Sequence, residues 1–204
     1  MLAEVREALK ELIAVHQTDP LDLLTECDLQ AFLFMKLREK IGEKTAASQP
    51  GALPIETFST GEVQTSLVHT EYGAQRFDVA LIDPALVEST ADYQVRLAVK
   101  SNNEAIWDLR MRAAIELKQL RIGYRLRGAL LGLATDIAKL RDYRSHKGKF
   151  AGVAVLFVQS CAPAIAEQIR CQQIFRPVNE HAEIEVIDGV VGYIITPCQT
   201  FRVD

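Results

Sequence analysis

The chain opens with apolar positions spaced at the helical period of about 3.6 residues. A first helix is predicted over residues 2 to 16 and a second over about 24 to 41. Thr25 is placed to cap the second helix, with Asp28 three residues later as its capping-box partner. Gly, Ser, Thr and Pro are frequent in residues 42 to 61, which predicts a loop.

From residue 66 the apolar period changes to two, which is typical of strands. Strands are predicted over residues 66 to 72 and 76 to 82, joined by a turn at Gly73. A third strand is predicted over 112 to 118. Residues 83 to 108 show no clear period and are left unassigned.

The second half of the chain alternates between helix and strand. A helix is predicted over 126 to 143, and the continuous apolar run 151 to 159 predicts a strand covered on both faces. A helix over 162 to 174 follows, and then a closing hairpin of residues 183 to 187 and 190 to 195 around an Asp-Gly turn. This order predicts an α/β fold, a mixed sheet flanked by helices, in a single domain over residues 1 to 204.

Composition narrows the class of protein. Hydrophobic residues make up 49% of the 204 residues and charged residues 25%, which is the balance of a globular chain rather than a disordered one. No apolar run reaches the roughly 18 to 20 residues that a bilayer requires, and the N-terminus lacks the features of a signal peptide. The four cysteines contain no C-x-x-C pair. We therefore expect a cytoplasmic protein with unpaired thiols and no membrane partner.

Charge is unevenly distributed along the chain. Residues 110 to 149 hold eleven Lys/Arg and three Asp/Glu, a local excess of eight positive charges in a chain whose net charge is −4. Such a block indicates a surface that faces a polyanion, although a solvated basic helix would give the same pattern.

Two acidic residues stand where apolar residues are expected. Glu26 shares a helical face with Leu29 and Leu33, although an acid in the first turn also complements the helix dipole. Asp78 lies inside the strand RFDVALI, where aspartate is disfavoured unless it serves a site or a buried partner.

Glu116 and Lys118 lie in the third strand, where alternation sends both side chains to one face. Alone, they could form a plain ion pair. With Asp78 on the neighbouring strand, they bring two carboxylates and one ammonium to one edge of the sheet. Two carboxylates can hold Mg²⁺, and a lysine beside the ion can position or deprotonate a water or stabilise charge on phosphorus.

Glu26 on an early helix, Asp78 in a strand and Glu116-Leu117-Lys118 in the next strand together resemble the motif of the PD-(D/E)XK nuclease superfamily. Phe77 stands where the motif has proline, and the long stretch between Asp78 and Glu116 predicts an insertion. The resemblance implies a restriction-endonuclease-like core of order αβββαβ, with an added N-terminal helix and a C-terminal helix plus hairpin.

The resemblance also implies roles for these residues. Asp78 and Glu116 would bind Mg²⁺ or Mn²⁺, Lys118 would assist the attacking water, and Glu26 would support the site. Glu71, on the first strand, is a further candidate ligand, with a surface acid as the alternative. The implied activity is Mg²⁺-dependent hydrolysis of phosphodiester bonds in DNA by an endonuclease.

With a metal site beside it, the basic block is interpreted as a phosphate-backbone contact. Its candidate nucleic-acid-binding residues are Arg121, Arg125, Arg127, Arg144 and Lys147. Asp136 and Lys139 are expected to pair with each other at i, i+3 on the helix that follows, with a role in the active site as the alternative. The alternative function is a non-catalytic nucleic-acid-binding or assembly module of the same fold, and the sequence leaves a homodimer or a partner subunit open.

Overall fold

The computed structural model describes residues 1–42, 45–46, 64–73, 75–83, 111–171, 174–175, 178–180 and 182–203. Within these ranges the helices are α1 (Leu2–Thr18), α2 (Glu26–Ile41), α3 (Leu126–Lys147) and α4 (Pro163–Cys171). The strands are β1 (Thr45–Ala46), β2 (Gln64–Thr65), β3 (Val68–Tyr72), β4 (Phe77–Ile82), β5 (Met111–Leu120), β6 (Ala151–Val158), β7 (Val178–Glu180), β8 (Val190–Ile195) and β9 (Thr200–Val203). The predicted α/β class is confirmed.

The main sheet is mixed, as predicted, and its strands lie in the order β3-β4-β5-β6-β8-β9-β7. The pairs β3–β4 and β4–β5 are antiparallel. The pairs β5–β6 and β6–β8 are parallel, and helix α3 makes the crossover from β5 to β6. Strand β9 then pairs antiparallel with both β8 and β7.

Helices cover both faces of the sheet. Helices α1 and α2 pack on one face, where Leu9, Leu29 and Leu33 are completely buried. Helices α3 and α4 pack on the opposite face, where Leu133 and Ile169 are buried. Strand β6 lies between these layers and all of its residues are buried, which explains why its sequence is apolar without alternation.

Local signals in the sequence determine two turns that matter for the site. Thr25 and Asp28 form the predicted capping box, so α2 begins at Glu26. Gly73 adopts a φ of 75° between β3 and β4, a backbone conformation that favours glycine. These two turns fix where α2 and β4 approach the end of β5.

The predicted closing hairpin is wrong in one of its strands. Residues 183 to 187 form no strand, and the C-terminal hairpin consists of β8 and β9. Strand β8 already has β6 on one side and β9 on the other, so no edge remains for the segment before it. That segment is instead held by Tyr193, whose hydroxyl donates to Glu185 O and accepts from Glu185 N.

Two further predictions concern segments of which the structure describes only a part. The region from 42 to 61, predicted as a loop, contains the two-residue strand β1 and otherwise lies mostly outside the described residues. The insertion expected between Asp78 and Glu116 lies outside them from residue 84 to residue 110. All four cysteines are unpaired and exposed, as predicted. No helix in the described ranges has the length and apolarity to cross a membrane.

Candidate active site

Asp78 and Glu116 lie on adjacent antiparallel strands. Val79 of β4 pairs with Ile115 of β5, and Asp78 and Glu116 are the next residues on the two strands, just beyond the last pair of this ladder. The charge of Asp78 acts on Glu116, and both carboxyl groups feel the charge of Lys139. The two carboxyl groups therefore converge.

Glu116 is a buried acid, with 5% of the residue exposed. Its Oε1 lies 2.6 Å from the Nζ of Lys139, which projects from α3. Burial raises the pKa of Glu116 to about 7 against this hydrogen bond, and the negative charges of Asp78 and Asp136 add to the rise. Glu116 is thus only partly ionised at neutral pH unless further positive charge arrives.

We expect Glu116→Gln to flatten the pH dependence of stability. The folded-state pKa of Glu116, about 7, lies above its ordinary value of 4.5. Between these values the folded chain holds a proton that the unfolded chain releases, so the free energy of unfolding falls as pH rises through this window. The loss is on the order of 3 kcal/mol for such a shift, and glutamine cannot contribute to it. Urea denaturation in EDTA at several pH values measures the slope.

The exposed Glu183 provides the matched control, because Glu183→Gln removes one carboxyl group away from this cluster. Its pH slope should equal that of the wild type. An unchanged slope in Glu116→Gln would contradict a raised pKa at Glu116.

Asp78 is half-buried at the start of β4. Its Oδ2 accepts a hydrogen bond of 2.7 Å from the backbone N–H of Leu117. Burial raises the pKa of Asp78 to about 6, and the Leu117 hydrogen bond opposes the rise. Gln30 of α2 donates to the Asp78 carbonyl oxygen at 2.6 Å and so fixes this strand end to the helix.

Lys118 projects from the end of β5 toward α3. Its Nζ lies 3.1 Å from Asp136 Oδ2. Burial acts to lower the pKa of Lys118, but the negative charge of Asp136, with those of Glu26 and Asp78, raises it above its usual value. A Cβ placed at Gly132 would lie 3.0 Å from Lys118 Cε, so glycine at this position leaves room for the lysine stem. Lys118 is therefore protonated at neutral pH, and the ion pair with Asp136 fixes its position.

Asp136 and Lys139 do not pair with each other, so that expectation is wrong. Each reaches across to β5 instead, Asp136 to Lys118 and Lys139 to Glu116. Asp136 Oδ2 is buried, and its contact with Lys118 at 3.1 Å is an ion pair. A signal for Asp136 was present in the sequence, since it lies in the apolar stripe with Leu133 and Leu140.

Glu26 lies at the first turn of α2, and its side chain is exposed rather than buried with Leu29 and Leu33. Its Oε1 accepts a hydrogen bond of 3.2 Å from the backbone N–H of Gln119. Its charge acts on Lys118. The predicted proximity of Glu26 to the strand motif is thus present, at the solvent side of the cluster.

Glu71 lies at the margin of the cluster. Its charge raises the pKa of Asp78, but its carboxylate pairs with Arg76 at 2.8 Å on the exposed surface. Gln30 also approaches Glu71 Oε1 at 3.4 Å. Glu71 has a φ of 51°, an uncommon conformation for a residue other than glycine. Glu71 is thus both a surface acid and a neighbour of Asp78.

A cleft of about 990 Å³ opens between the start of α2, the end of β5 and the start of α3. We call it the β5–α3 cleft. Glu26 and Lys118 line it, and so do three residues of the connection between β5 and α3, Arg121, Tyr124 and Arg125. Arg121 and Arg125 are exposed. Two of the predicted phosphate contacts thus share a cleft with the predicted catalytic lysine.

The remaining predicted phosphate contacts lie elsewhere. Arg127 is exposed on the first turn of α3. Arg144 donates to the carbonyl oxygen of Phe150 and pairs with Asp188 at 2.8 Å, so it has structural partners. Helix α3 rises about 1.5 Å per residue, which places Arg144 and Lys147 roughly 20 Å along the helix from Gly132, the last α3 residue that lines the cleft. The structure does not bring these two residues to the site.

Among the described residues, the site holds the carboxyl groups of Glu26, Asp78, Glu116 and Asp136 and the ammonium groups of Lys118 and Lys139. No three His, Cys, Asp or Glu side chains in the described ranges are grouped so that they could hold a metal ion by themselves. A protein-only cage of three or more ligands is thus not found there. Mg²⁺ commonly binds one or two carboxylates and takes its other ligands from water and phosphate.

Comparison of the chain with protein-family models, with curated proteins and with solved structures found no match in any of the three. The resemblance to PD-(D/E)XK nucleases therefore stays a hypothesis that depends on the site residues and their placement.

Proposed function

We propose that this protein is a Mg²⁺-dependent nuclease that hydrolyses phosphodiester bonds in DNA. One observation carries the proposal. The half-buried Asp78 and the buried Glu116 converge next to Lys118, which the ion pair with Asp136 fixes in place. The element order α2-β3-β4-β5-α3-β6 supports the proposal, because the resemblance implies the order αβββαβ.

The charges of the cluster favour a cation. Burial raises the pKa of Asp78 to about 6 and that of Glu116 to about 7, so the positive charge of Lys139, which acts on both, does not offset the cost of burying them. A divalent cation would supply the missing positive charge.

Asp78 and Glu116 would hold the ion. Each has one carboxylate oxygen in a hydrogen bond, Asp78 Oδ2 with Leu117 and Glu116 Oε1 with Lys139, and the other oxygen has no hydrogen bond among the described residues. A bound Mg²⁺ would lower the pKa of its water and neutralise charge on the scissile phosphate.

Lys118 acts as a hydrogen-bond donor and a positive charge rather than as a base. Its pKa is raised by Asp136, so it keeps its proton at neutral pH. A protonated ammonium can orient a water and stabilise the charge that develops on a phosphoryl group. Asp136 is a positioning residue, since it holds Lys118 from α3.

The positive charges that line the β5–α3 cleft favour a nucleic acid as the substrate. Arg121 and Arg125 border the same cleft as Lys118, and each can contact a phosphate oxygen. Helix α3 begins beside them with no acidic residue in its first turn, so the positive end of its dipole is not neutralised there. DNA as the nucleic acid is implied by the resemblance alone.

The test is direct cleavage. Supercoiled plasmid, linear duplex and single-stranded DNA are incubated with the purified chain in Mg²⁺, and matched samples in EDTA. We expect cutting in Mg²⁺ only. Absence of cutting with Mg²⁺ and with Mn²⁺ on all three substrates would overturn the proposal.

A non-catalytic nucleic-acid-binding module is the second candidate, and the ion pairs favour it. Lys139 engages Glu116 and Asp136 engages Lys118, so four functional charges already have partners within the protein. Binding of DNA in EDTA without cutting in Mg²⁺ would select this candidate. A dimer or partner subunit, as proposed from the sequence, would be detected by light scattering in the same preparation.

A further inference from the structure

Two large hydrophobic side chains are exposed beside the candidate active site. Tyr124 is 71% exposed and Ile122 is 68% exposed, both in the short connection from β5 to α3. The ring of Tyr124 lines the β5–α3 cleft together with Lys118. A large exposed side chain that lines a cleft is a candidate contact for a ligand.

The residues around this ring specify the chemistry of the ligand. Arg121 and Arg125 flank Tyr124 in the sequence, and both are exposed and line the same cleft. Guanidinium groups bind phosphate, and an aromatic ring stacks on a nucleobase whatever its identity. A basic groove with an aromatic platform is the usual equipment of proteins that bind single-stranded nucleic acid.

The cleft also has room for a base. Its α3 wall consists of small residues, Gly128, Ala129 and Gly132. A Cβ placed at Gly128 would meet no heavy atom within 4 Å, so the space there is open. A duplex keeps its bases paired and stacked in its interior, so it would reach the two arginines through phosphates but leave the Tyr124 ring in water.

We propose that the β5–α3 cleft receives an unpaired nucleotide of the substrate, with its base stacked on Tyr124 and its phosphates on Arg121 and Arg125. The inference rests on the proposed function and deepens it, because it makes single-stranded DNA, or an unpaired end of a duplex, the preferred substrate. Stacking would place the adjoining phosphate next to Lys118.

Binding in EDTA tests the inference without any cleavage. The probes are a fluorescently labelled single-stranded oligodeoxynucleotide and the duplex of the same sequence, and anisotropy gives their dissociation constants. We expect the wild type to bind the single strand more tightly. Tyr124→Ala should weaken that binding by about 5- to 150-fold, the effect of one lost base–aromatic stack, and change duplex binding little. Tyr124→Phe keeps the ring and should bind like the wild type.

A second readout reports stacking itself. An oligonucleotide that contains 2-aminopurine loses fluorescence when the base stacks on a ring, and this quenching should disappear in Tyr124→Ala. Equal single-strand affinity in wild type and Tyr124→Ala would overturn the inference, as would an equal loss for single strand and duplex. A third contrary result would be that polyglutamate displaces the labelled oligonucleotide at a lower concentration than the unlabelled oligonucleotide does. That result would indicate an acidic protein as the partner.

These outcomes are separable from failure of the nuclease proposal. If the wild type cuts DNA in Mg²⁺ but Tyr124→Ala binds single strands as the wild type does, only the inference about the cleft fails. If the wild type binds single strands through Tyr124 but cuts nothing, the cleft assignment stands and the nuclease proposal fails.

Discussion

Lys118→Ala is expected to lower Mg²⁺-dependent cleavage of DNA by at least about 100-fold, because loss of one preorganised donor at a developing charge commonly costs 10²- to 10³-fold in rate. Lys118 is well placed for this role, since Asp136 holds its ammonium at 3.1 Å and keeps it protonated. DNA binding in EDTA should change far less, because Arg121 and Arg125 remain at the cleft. Initial rates on plasmid and anisotropy in EDTA measure the two effects.

A control for charge alone is Lys10→Ala on α1. Lys10 is half-exposed and pairs with Glu7 on the surface, so its loss removes the same charge outside the site. Cleavage by Lys10→Ala should match the wild type. If Lys118→Ala continued to cut at the wild-type rate, the lysine would have no part in the reaction.

Asp78→Asn is expected to remove the stabilisation that Mn²⁺ or Mg²⁺ gives the folded protein. An ion that binds only the folded state at 100 times its Kd adds about 2.7 kcal/mol, which raises the Tm of a domain of this size by roughly 5–10 °C. Asparagine can still accept the Leu117 hydrogen bond through its side-chain oxygen but carries no charge. The variant should therefore fold while its Tm stays flat as metal is added, and a thermal melt at rising Mn²⁺ measures this.

Glu183→Gln serves again as the matched control, since it removes an exposed acid and should keep the full metal-induced rise in Tm. An equal rise in wild type and in Asp78→Asn would exclude a metal site built on Asp78. In the absence of metal, Asp78→Asn should be at least as stable as the wild type near neutral pH, because burial penalises the charge that asparagine lacks.

Most elements near the site were predictable because local signals agree with tertiary packing there. The Thr25 capping box begins α2, and Gly73 turns β3 into β4. The alternation in β5 correctly places Glu116 and Lys118 on the side that faces α3, where Asp136 and Lys139 meet them. Period and capping act over a few residues, so they can be read along the chain.

The errors concern contacts that local spacing does not determine. Asp136 and Lys139 have helical spacing, but each pairs with a residue of opposite charge on β5, in a partly buried setting where the pair gains more than one on the helix surface would. The strand expected over residues 183 to 187 has suitable residues, but β6 and β9 already occupy both sides of β8. In both cases a residue or strand distant in sequence makes the contact that the local spacing predicted for a near neighbour.

The amino-acid sequence by itself determined the alternation of helices and strands, the mixed α/β class and the short acid-x-lysine segment at the end of β5. Only the tertiary structure decided that Asp136 holds Lys118, that Lys139 pairs with Glu116, and that Tyr124 opens onto the same cleft as Lys118. The physical reason is range: capping and periodicity depend on neighbours within one or two turns, whereas strand register and buried charge pairing depend on residues brought together by the whole core.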